Sequence, residues 1–464
     1  MHQQPRPLSS AYEIDYATAV IGADMLLGGN VGSASGKDHF IADHWPKDLQ
    51  LPDIYTDKVA QEIMNAGGAS KENASQVKAV VEKYDLRGLS AKVIAAENSG
   101  DSDVHEFVTG TMTSIGLMIE TACALAQETE LPRYEDRFAS VTGGLAPKVL
   151  PIDEAIEELA DSLIALGKNP KTKDDALAMA HEWETGRYVK PENFLDLAKN
   201  NIARLLGEIR TKVLKYVDFN IPGYDPHLAD VLFDGIKFNT VSNTFFTGSL
   251  TYVGGIDDMG KPLLECNYEY NTDHPLTAEN MWHLAGHEGI PGHYMQMAIM
   301  DLMRRNGKFG IEAAISPMCT GETTLMEGWA QAVPELLYGE RSRAVLGPHY
   351  RVHTALERLQ DMAKNNVSIL HQVQKMPIET LRDMLSSQYG LNPAIVKKMS
   401  GGWAQHPVLG PMYGPAYWLG GEAVRGAIKK YGPLEVAKTA LHTEGIVDQN
   451  VFNLKMARKM PLTA

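Results

Sequence analysis

Apolar residues recur at intervals of three and four along much of the first half of the chain, the pattern of helices that bury one face. The pattern is clear over Asp57 to Ala66 and over Ala74 to Lys83. A longer, weakly polar stretch from Glu106 to Gln127 is typical of a helix inside a helical core. Further helices are predicted from Pro151 to Leu166 and from Asn193 to Val217. We therefore expect the first part of the chain to be helical.

Two segments near the middle of the chain have a different pattern. Asn243 to Asp257 and Lys261 to Asn271 are rich in β-branched or aromatic residues, and glycines lie between them. This composition predicts a hairpin or two short strands joined by a loop. From Pro275 onward the pattern is again helical. The sequence therefore predicts a mainly α fold with a small antiparallel β element.

One stretch interrupts the helical pattern early in the chain. Residues 140–151 contain two adjacent glycines and two prolines, which favour loops. We place a domain boundary there. The prediction is an N-terminal helical region over residues 1–150 and a helical catalytic region over residues 151–464.

Composition and charge exclude several classes of function. The 464 residues include 58 acidic and 43 basic side chains, a formal net charge of -15. Phosphate backbones and anionic membranes need a basic surface, so no nucleic-acid or membrane partner is expected. Three scattered cysteines fit a reducing compartment and exclude a zinc site built from cysteine pairs. No secretory signal is recognisable, so a cytoplasmic location is predicted. The sequence does not indicate the oligomeric state.

Candidate chemistry is concentrated between residues 282 and 293. His283 and His287 are four residues apart and lie within about 40° on one helical face. Glu288 follows His287 directly, as in zincins, where an imidazole binds the metal and the glutamate is the general base. Thr277 is placed to cap the start of this helix. We expect His283 to support the site rather than to bind the metal.

The second histidine of the motif departs from ordinary zincin spacing. Pro291 occupies the position four residues after His287, and the next histidine is His293. Six residues of ideal helix rotate a side chain about 120° away, so His293 reaches the metal only if the helix breaks. Pro291 and Gly292 are a suitable break, because proline removes a backbone donor and glycine permits unusual dihedral angles.

A third ligand is expected from the downstream helix. Glu322 and Glu327 both lie in its first turns, and either supplies a carboxylate. Two histidines, one glutamate and a water form a catalytic zinc site with an open position.

Two signatures in this region resemble those of a bacterial family of zincin-like proteins, a domain of unknown function grouped with gluzincin-type metallopeptidases. The first is His-Glu-x-x-Pro-Gly-His, here His287 to His293, and the second is Glu-Gly-Trp-Ala, here Glu327 to Ala330. Tyr413 to Gly420 resembles more loosely the family's Pro-x-x-x-x-Tyr-x-x-Gly stretch. The resemblance covers residues 240–430 in order and spacing.

The resemblance implies that His287, His293 and Glu327 bind one zinc ion per chain and that Glu288 is the general base. Two departures concern the substrate side of the site. Tyr294 stands where the family usually has a second histidine. The family also has an Arg-x-x-Asp-x-x-x-His motif. Arg358 and Asp361 match its first two fixed positions, but Asn365 stands where the family has histidine.

These features predict a zinc metallopeptidase, in which Glu288 activates a water on the metal and the attacked substrate is a small peptide or amide. Tyr417 or Tyr294 is a candidate donor to the oxyanion, although each also fits a buried structural tyrosine. An exposed strand edge would pair with the substrate backbone. Further candidates near the substrate are Asn267, Tyr268 and His406.

Two alternatives remain open. A non-haem iron enzyme uses the same set of two histidines and one carboxylate. A catalytically inactive helical protein could also retain a metal for stability.

Overall fold

The computed structural model describes residues 6–29, 42–44, 48–215, 234–244, 246–258 and 260–461. The first part of the chain is helical, as predicted. Its helices are α1 (Ala11–Leu26), α2 (Asp53–Thr56), α3 (Lys58–Asn65), α4 (Ala74–Lys83), α5 (Leu86–Ala96), α6 (Ser102–Gln127), α7 (Tyr134–Thr142), α8 (Asp153–Ile164), α9 (Lys173–Thr185) and α10 (Phe194–Ile209).

The second part is also mainly helical. Its helices are α11 (Ala278–Leu284), α12 (His293–Arg305), α13 (Gly321–Gln331), α14 (Val333–Tyr338), α15 (Ser342–Leu346), α16 (Pro348–Ser368), α17 (Ile378–Gln388), α18 (Pro393–Lys398), α19 (Leu409–Met412), α20 (Gly421–Tyr431), α21 (Pro433–Ala440) and α22 (Gln449–Arg458). Wider π-helical turns extend several of them, over Arg210–Leu214, Ala285–Gly289, Ile369–Val373, Met399–Trp403 and Ala416–Gly420.

Five short strands are described: β1 (Ala42–His44), β2 (Ile236–Val241), β3 (Gly248–Tyr252), β4 (Cys266–Asn271) and β5 (Ser316–Pro317). The predicted antiparallel pair is confirmed as β3 with β4, in which Gly248 lies opposite Tyr270. The prediction of a purely antiparallel element is wrong, because β2 pairs parallel to β4 on its other side. The sequence analysis did not predict β2, because a parallel pairing with β4 has no connecting turn that would reveal it.

Two large hydrophobic cores and one small cluster hold the described helices together. The larger core draws on helices α1 to α6, on α10 and on most helices after β4. The second core joins α8 and α9 to α16, α17 and the turn Met399–Trp403. Helix α6 is long and apolar enough to cross a membrane, but 61% of its apolar stretch is buried inside the protein, as in a core helix. The boundary at residue 150 stays a prediction, although the larger core includes residues on both sides of it.

Helix α13 and the turn Ala416–Gly420 approach each other at two glycines. A β-carbon on Gly328 would lie 2.3 Å from the backbone of Gly420, and one on Gly420 would lie 2.1 Å from the carbonyl oxygen of Thr324. The two backbones are therefore in contact with no side chain between them, and both positions need glycine.

Gly328→Ala should destabilise the protein by about 1–3 kcal/mol, because the added methyl group must push two packed backbones apart. Urea unfolding measures the loss. Gly426→Ala is the matched control, since it lies in the adjacent helix α20 with nothing within 4 Å of the new β-carbon, and it should hold or raise stability. Equal stability of the two variants would contradict the close contact.

A buried carboxyl group lies at the start of the last helix. Asp448 caps α22 by accepting a hydrogen bond from the backbone nitrogen of Val451 at 2.8 Å. Its side chain fills the space beside Gly110 and Gly321, where added β-carbons would lie 2.7 and 3.0 Å from its Oδ2 atom. Burial raises the pKa of Asp448 to about 7. The folded protein therefore binds this proton more tightly than the unfolded chain does.

This raised pKa predicts a loss of stability with rising pH. Below about pH 4 the carboxyl is protonated in both the folded and the unfolded state, so it makes no pH-dependent contribution to stability. Between about pH 4 and pH 7 only the unfolded state ionises, and stability falls through that window. Asp448→Asn should therefore match the wild type near pH 4 and exceed it by at least about 1 kcal/mol at pH 8. Urea unfolding at both pH values tests this, with the exposed cap variant Asp101→Asn as control.

Candidate metal centre

The first histidine and its neighbouring glutamate lie on a π-helical turn. Helix α11 begins after Thr277, whose hydroxyl accepts a hydrogen bond from the backbone nitrogen of Asn280 at 3.1 Å, so the predicted cap is confirmed. The helix then widens over Ala285–Gly289, the turn that carries His287 and Glu288. Such turns are rare in proteins overall, but those that occur often lie at functional sites.

The predicted break between the two histidines is confirmed. After the π turn, Ile290 has an extended backbone, and helix α12 begins anew at His293. The backbone nitrogen of Gly292 donates to the carbonyl oxygen of Gly286 at 2.8 Å, which folds the chain back. A β-carbon on Gly292 would lie 1.7 Å from the carbonyl oxygen of His287, so the turn requires glycine. His293 thereby returns to the side on which His287 lies.

Glu327 lies between the two imidazoles. Its Oε2 atom is 3.2 Å from His287 Nε2, and its Oε1 atom is 3.8 Å from His293 Nε2. The candidate ligand atoms of these three residues all lie within 4.8 Å of one another. Ligands of tetrahedral zinc are about 3.3 Å apart when each bond is about 2.05 Å. The three side chains could therefore hold a metal ion if their donor atoms moved closer together.

The polar atoms of the cluster are incompletely paired, as expected of a site that accepts a cation. Glu327 Oε2 and His293 Nδ1 are buried, and neither has a hydrogen-bond partner of ordinary geometry among the described residues. Burial opposes the charge on Glu327, yet the contact with His287 and the charge of His293 outweigh burial and lower the Glu327 pKa to about 2. Burial lowers the pKa of His293 to about 4, so this imidazole is neutral and able to bind a metal.

Glu288 is the sequence candidate for the general base. It lies beside the candidate ligand His287, and its side chain is partly exposed. Burial raises its pKa to about 7, with the charge of Glu327 acting in the same direction and that of His287 opposing. A proton acceptor works best when its pKa is close to the working pH.

Two tyrosines complete this side of the centre. The hydroxyl of Tyr413 donates to Glu327 Oε1 at 2.6 Å and thereby orients the carboxylate. The hydroxyl of Tyr417 donates to that of Tyr413 at 3.1 Å. The Tyr417 ring lies parallel to His287, with 6.5 Å between ring centroids. Tyr417 is the candidate that the sequence identified, whereas Tyr413 was missed, because its contact depends on the π turn that follows it.

His283 does not point at the cluster of ligand atoms. Its Nδ1 lies 3.1 Å from the Tyr350 hydroxyl and its Nε2 lies 2.8 Å from Gln331 Oε1. Both ring nitrogens therefore have hydrogen-bond partners, and burial lowers the pKa of His283 to about 4, although the charge of Glu357 opposes this shift. Gln331 also donates to Asp361 Oδ2 at 3.0 Å. His283 thus supports the wall of the site, as expected from the sequence.

The structure places several other candidates away from the ligand cluster. The Glu322 carboxylate accepts from Ser316 at 3.1 Å. The Tyr294 hydroxyl donates to the carbonyl oxygen of Leu264 at 2.6 Å. Arg358 pairs with Glu158 at 3.0 Å, on helix α8.

The remaining candidates are His406 and the two residues of β4. His406 Nδ1 accepts from the backbone nitrogens of Val408 and Leu409, so it caps α19. On β4, Tyr268 is buried, and its pKa is raised by burial and also by the charge of Glu288. Asn267 points to the opposite, half-exposed face. Tyr268 is therefore the nearer of these two strand residues to the centre.

Further polar residues of the wall come from helix α16. Lys364 Nζ lies 3.1 Å from Asp361 Oδ1 and 3.3 Å from the centroid of the Tyr417 ring. Glu357 Oε2 lies 3.5 Å from His283 Nε2. These residues have helical spacing with Asp361, which was the only signal in the sequence that could have linked them. Asn365, at the position where the family has histidine, donates to the carbonyl oxygen of Lys148 at 3.0 Å.

Comparisons with known proteins identify the fold but no activity. No family model and no curated protein matches the chain. Among solved structures, the chain is similar to a protein described as a "putative lipoprotein" from Colwellia psychrerythraea, with 15% identity, a TM-score of 0.52 and coverage of 86% of this chain and 74% of that one. A second "putative lipoprotein of unknown function", from Shewanella oneidensis, has 16% identity, a TM-score of 0.49 and coverage of 86% and 76%. The cytoplasmic location stays a prediction.

The contact between Tyr413 and Glu327 predicts a role in metal affinity. Tyr413→Phe should weaken zinc binding about 10–100-fold, the usual effect of removing a partner that orients a ligand. Competition with a chromophoric chelator measures the affinity. Tyr417→Phe is the matched control, because its hydroxyl contacts Tyr413 and no ligand, and its effect should be smaller. Wild-type affinity in Tyr413→Phe would mean that this hydrogen bond does not orient the ligand.

Proposed function

We propose that this protein is a metal-dependent hydrolase of the zincin type that cleaves peptide bonds or related amides. The observation that carries the proposal is the convergence of His287, His293 and Glu327, with all candidate ligand atoms within 4.8 Å. Two histidines and a carboxylate are a ligand set of catalytic zinc sites. A bound zinc ion would supply a Lewis acid that acidifies water and polarises a carbonyl group.

Glu288 is the residue that moves the proton in this proposal. Its carboxylate takes a proton from the attacking water, and the water oxygen bonds to the substrate carbonyl carbon. The same carboxyl group then gives the proton to the leaving nitrogen as the carbon–nitrogen bond breaks. The raised pKa of Glu288, about 7 because of burial, suits both transfers near neutral pH.

Tyr417 is proposed to stabilise the charge that develops on the carbonyl oxygen. Its ring is parallel to that of His287, and its side chain is partly exposed. Its hydroxyl donates to the Tyr413 hydroxyl, which itself donates to Glu327. Rotation of the Tyr417 hydroxyl toward substrate would therefore leave Tyr413 still bonded to Glu327.

The small sheet offers a place for an extended substrate. Among the described strands, β3 pairs with β4 alone. Gly248, the first residue of β3, lies next to Leu284, which is three residues before His287. An extended peptide can add to such an edge through backbone hydrogen bonds. This position supports a peptide rather than a compact small molecule as the substrate.

Elemental analysis of wild type beside His287→Ala tests the metal. We expect about one zinc per chain in the wild type and its loss in the variant, because the variant removes one of three ligands. Stoichiometric iron lost in the same way would instead support oxygen chemistry on the same residues. A wild type that takes up neither metal after incubation would contradict the proposal.

Glu288→Gln separates catalysis from metal binding. The variant should retain the metal, because Glu288 is not among the converging ligands. Hydrolysis of a peptide pool, followed by mass spectrometry, should fall about 10²–10⁴-fold, the usual contribution of a general base. Wild-type turnover in this variant would show that another group accepts the proton.

A further inference from the structure

The ammonium group of Lys364 lies over the ring of Tyr417. Its Nζ atom is 3.3 Å from the ring centroid, well within the distance of about 6 Å at which an aromatic ring attracts a cation. The attraction is stronger where water is excluded, and only 16% of the Lys364 side chain is exposed. The contact therefore favours one orientation of the ring. Tyr417 is the residue that the proposed function makes the donor to the oxyanion, so this orientation bears on the reaction.

Backbone packing brings Lys364 to this ring. A β-carbon on Gly414, three residues before Tyr417, would lie 2.7 Å from the carbonyl oxygen of Lys364 in helix α16. The segment that carries the tyrosine therefore approaches the helix with no side chain between them. Trp403 packs against the same group, with its ring centroid 5.9 Å from that of Tyr417 and 6.0 Å from Lys364 Nζ.

Lys364 is itself fixed by a chain of hydrogen bonds that begins at His283. It donates to Asp361 Oδ1 at 3.1 Å, and Asp361 Oδ2 accepts from the side-chain nitrogen of Gln331 at 3.0 Å. Because an amide oxygen only accepts, we assign a hydrogen to His283 Nε2, which lies 2.8 Å from Gln331 Oε1. His283 Nδ1 then accepts from the Tyr350 hydroxyl at 3.1 Å. The first histidine of the sequence motif is thus connected to Lys364 by bonds.

The ion pair also allows a lysine to lie near a metal site. Lys364 and Asp361 carry opposite charges 3.1 Å apart, so together they add no net charge. An unpaired ammonium group would repel a cation bound by His287, on which the Tyr417 ring stacks. Lys364 can therefore contact the tyrosine without opposing the metal.

We propose that Lys364 is a positioning residue that holds the Tyr417 ring so that its hydroxyl group can reach the carbonyl oxygen of the substrate. The inference rests on the proposed hydrolase and adds a residue that acts through Tyr417. The converging ligand atoms do not include Lys364, so loss of its charge should leave the metal bound. The test separates this role from simple neutralisation of the buried Asp361.

Fluorine NMR of the full chain, with 3-fluorotyrosine in place of Tyr417, tests the contact without turnover. A held ring gives separate resonances for its two flipped states, whereas a mobile ring gives one averaged resonance. The parent protein should show two resonances, Lys364→Met one, and Lys364→Arg two, because arginine restores the cation. The exposed Lys397→Met is the matched control and should keep two. One averaged resonance in the parent, or two in Lys364→Met, would overturn the proposal.

The double variant Asp361→Asn with Lys364→Met separates positioning from neutralisation. It removes both charges and therefore leaves no buried carboxylate without a partner, which also protects the variant against unfolding. Thermal melting confirms that each variant is folded. Positioning predicts that the ring remains mobile in the double variant. A return of two resonances there would mean that Lys364 only neutralises Asp361.

Turnover of the zinc-loaded protein on a peptide selected from the pool links the ring to the reaction. Lys364→Met should lower kcat about tenfold with little change in KM, because a misplaced donor weakens binding of the transition state more than binding of the substrate. In a Tyr417→Phe background no hydroxyl group remains to be positioned, so Lys364→Met should change kcat less than about twofold. Equal falls in both backgrounds would overturn the proposed route through Tyr417.

The outcomes also separate this inference from the hydrolase. A ring whose order depends on Lys364, in a protein that cleaves no peptide, would confirm the positioning contact and remove the peptidase. Peptide cleavage at an equal rate in wild type and Lys364→Met, with two resonances in both, would leave the hydrolase standing and remove the positioning role.

Discussion

The candidate centre depends on the reversal of the chain between His287 and His293. An unbroken helix would direct these imidazoles about 120° apart. The hydrogen bond from Gly292 to Gly286 closes the reversal, and only glycine fits at its tightest point. The indole nitrogen of Trp329 donates to the carbonyl oxygen of Pro291 at 2.6 Å, so the break is bonded to the helix that supplies Glu327. The two halves of the ligand set are therefore positioned by one connected group of contacts.

The same helix is fixed on its other side by backbone contact. Gly328 follows Glu327 directly and touches Gly420, while Tyr417 lies on the π turn that ends at Gly420. Glu327 and the tyrosines around it are thus placed by one helix crossing. Because packed interiors yield little to added volume, the geometry of the centre is tied to the stability of this crossing. In the signature Glu-Gly-Trp-Ala, the glutamate is therefore the candidate ligand, and the glycine and the tryptophan position it.

Sequence reasoning reached the parts of the site whose signal is local. His287, Glu288 and His293 lie within seven residues, and Pro291 and Gly292 indicated a break in the helix between the two histidines. The residue pattern offered both Glu327 and Glu322 as the carboxylate, and the family resemblance favoured Glu327. The structure distinguishes them, because Glu327 lies between the imidazoles whereas Glu322 accepts from Ser316.

The wall of the site could not be predicted in this way. Tyr413 and Lys364 lie about fifty residues apart in the sequence, in different parts of the fold, and no spacing relates one to the other. Strand β2 was missed for a similar reason, since its parallel pairing with β4 joins segments with no common turn. His406 was a candidate near the substrate, but its ring nitrogen accepts backbone hydrogen bonds at the start of a helix. A histidine with this role cannot be distinguished by sequence from one that lines a cleft.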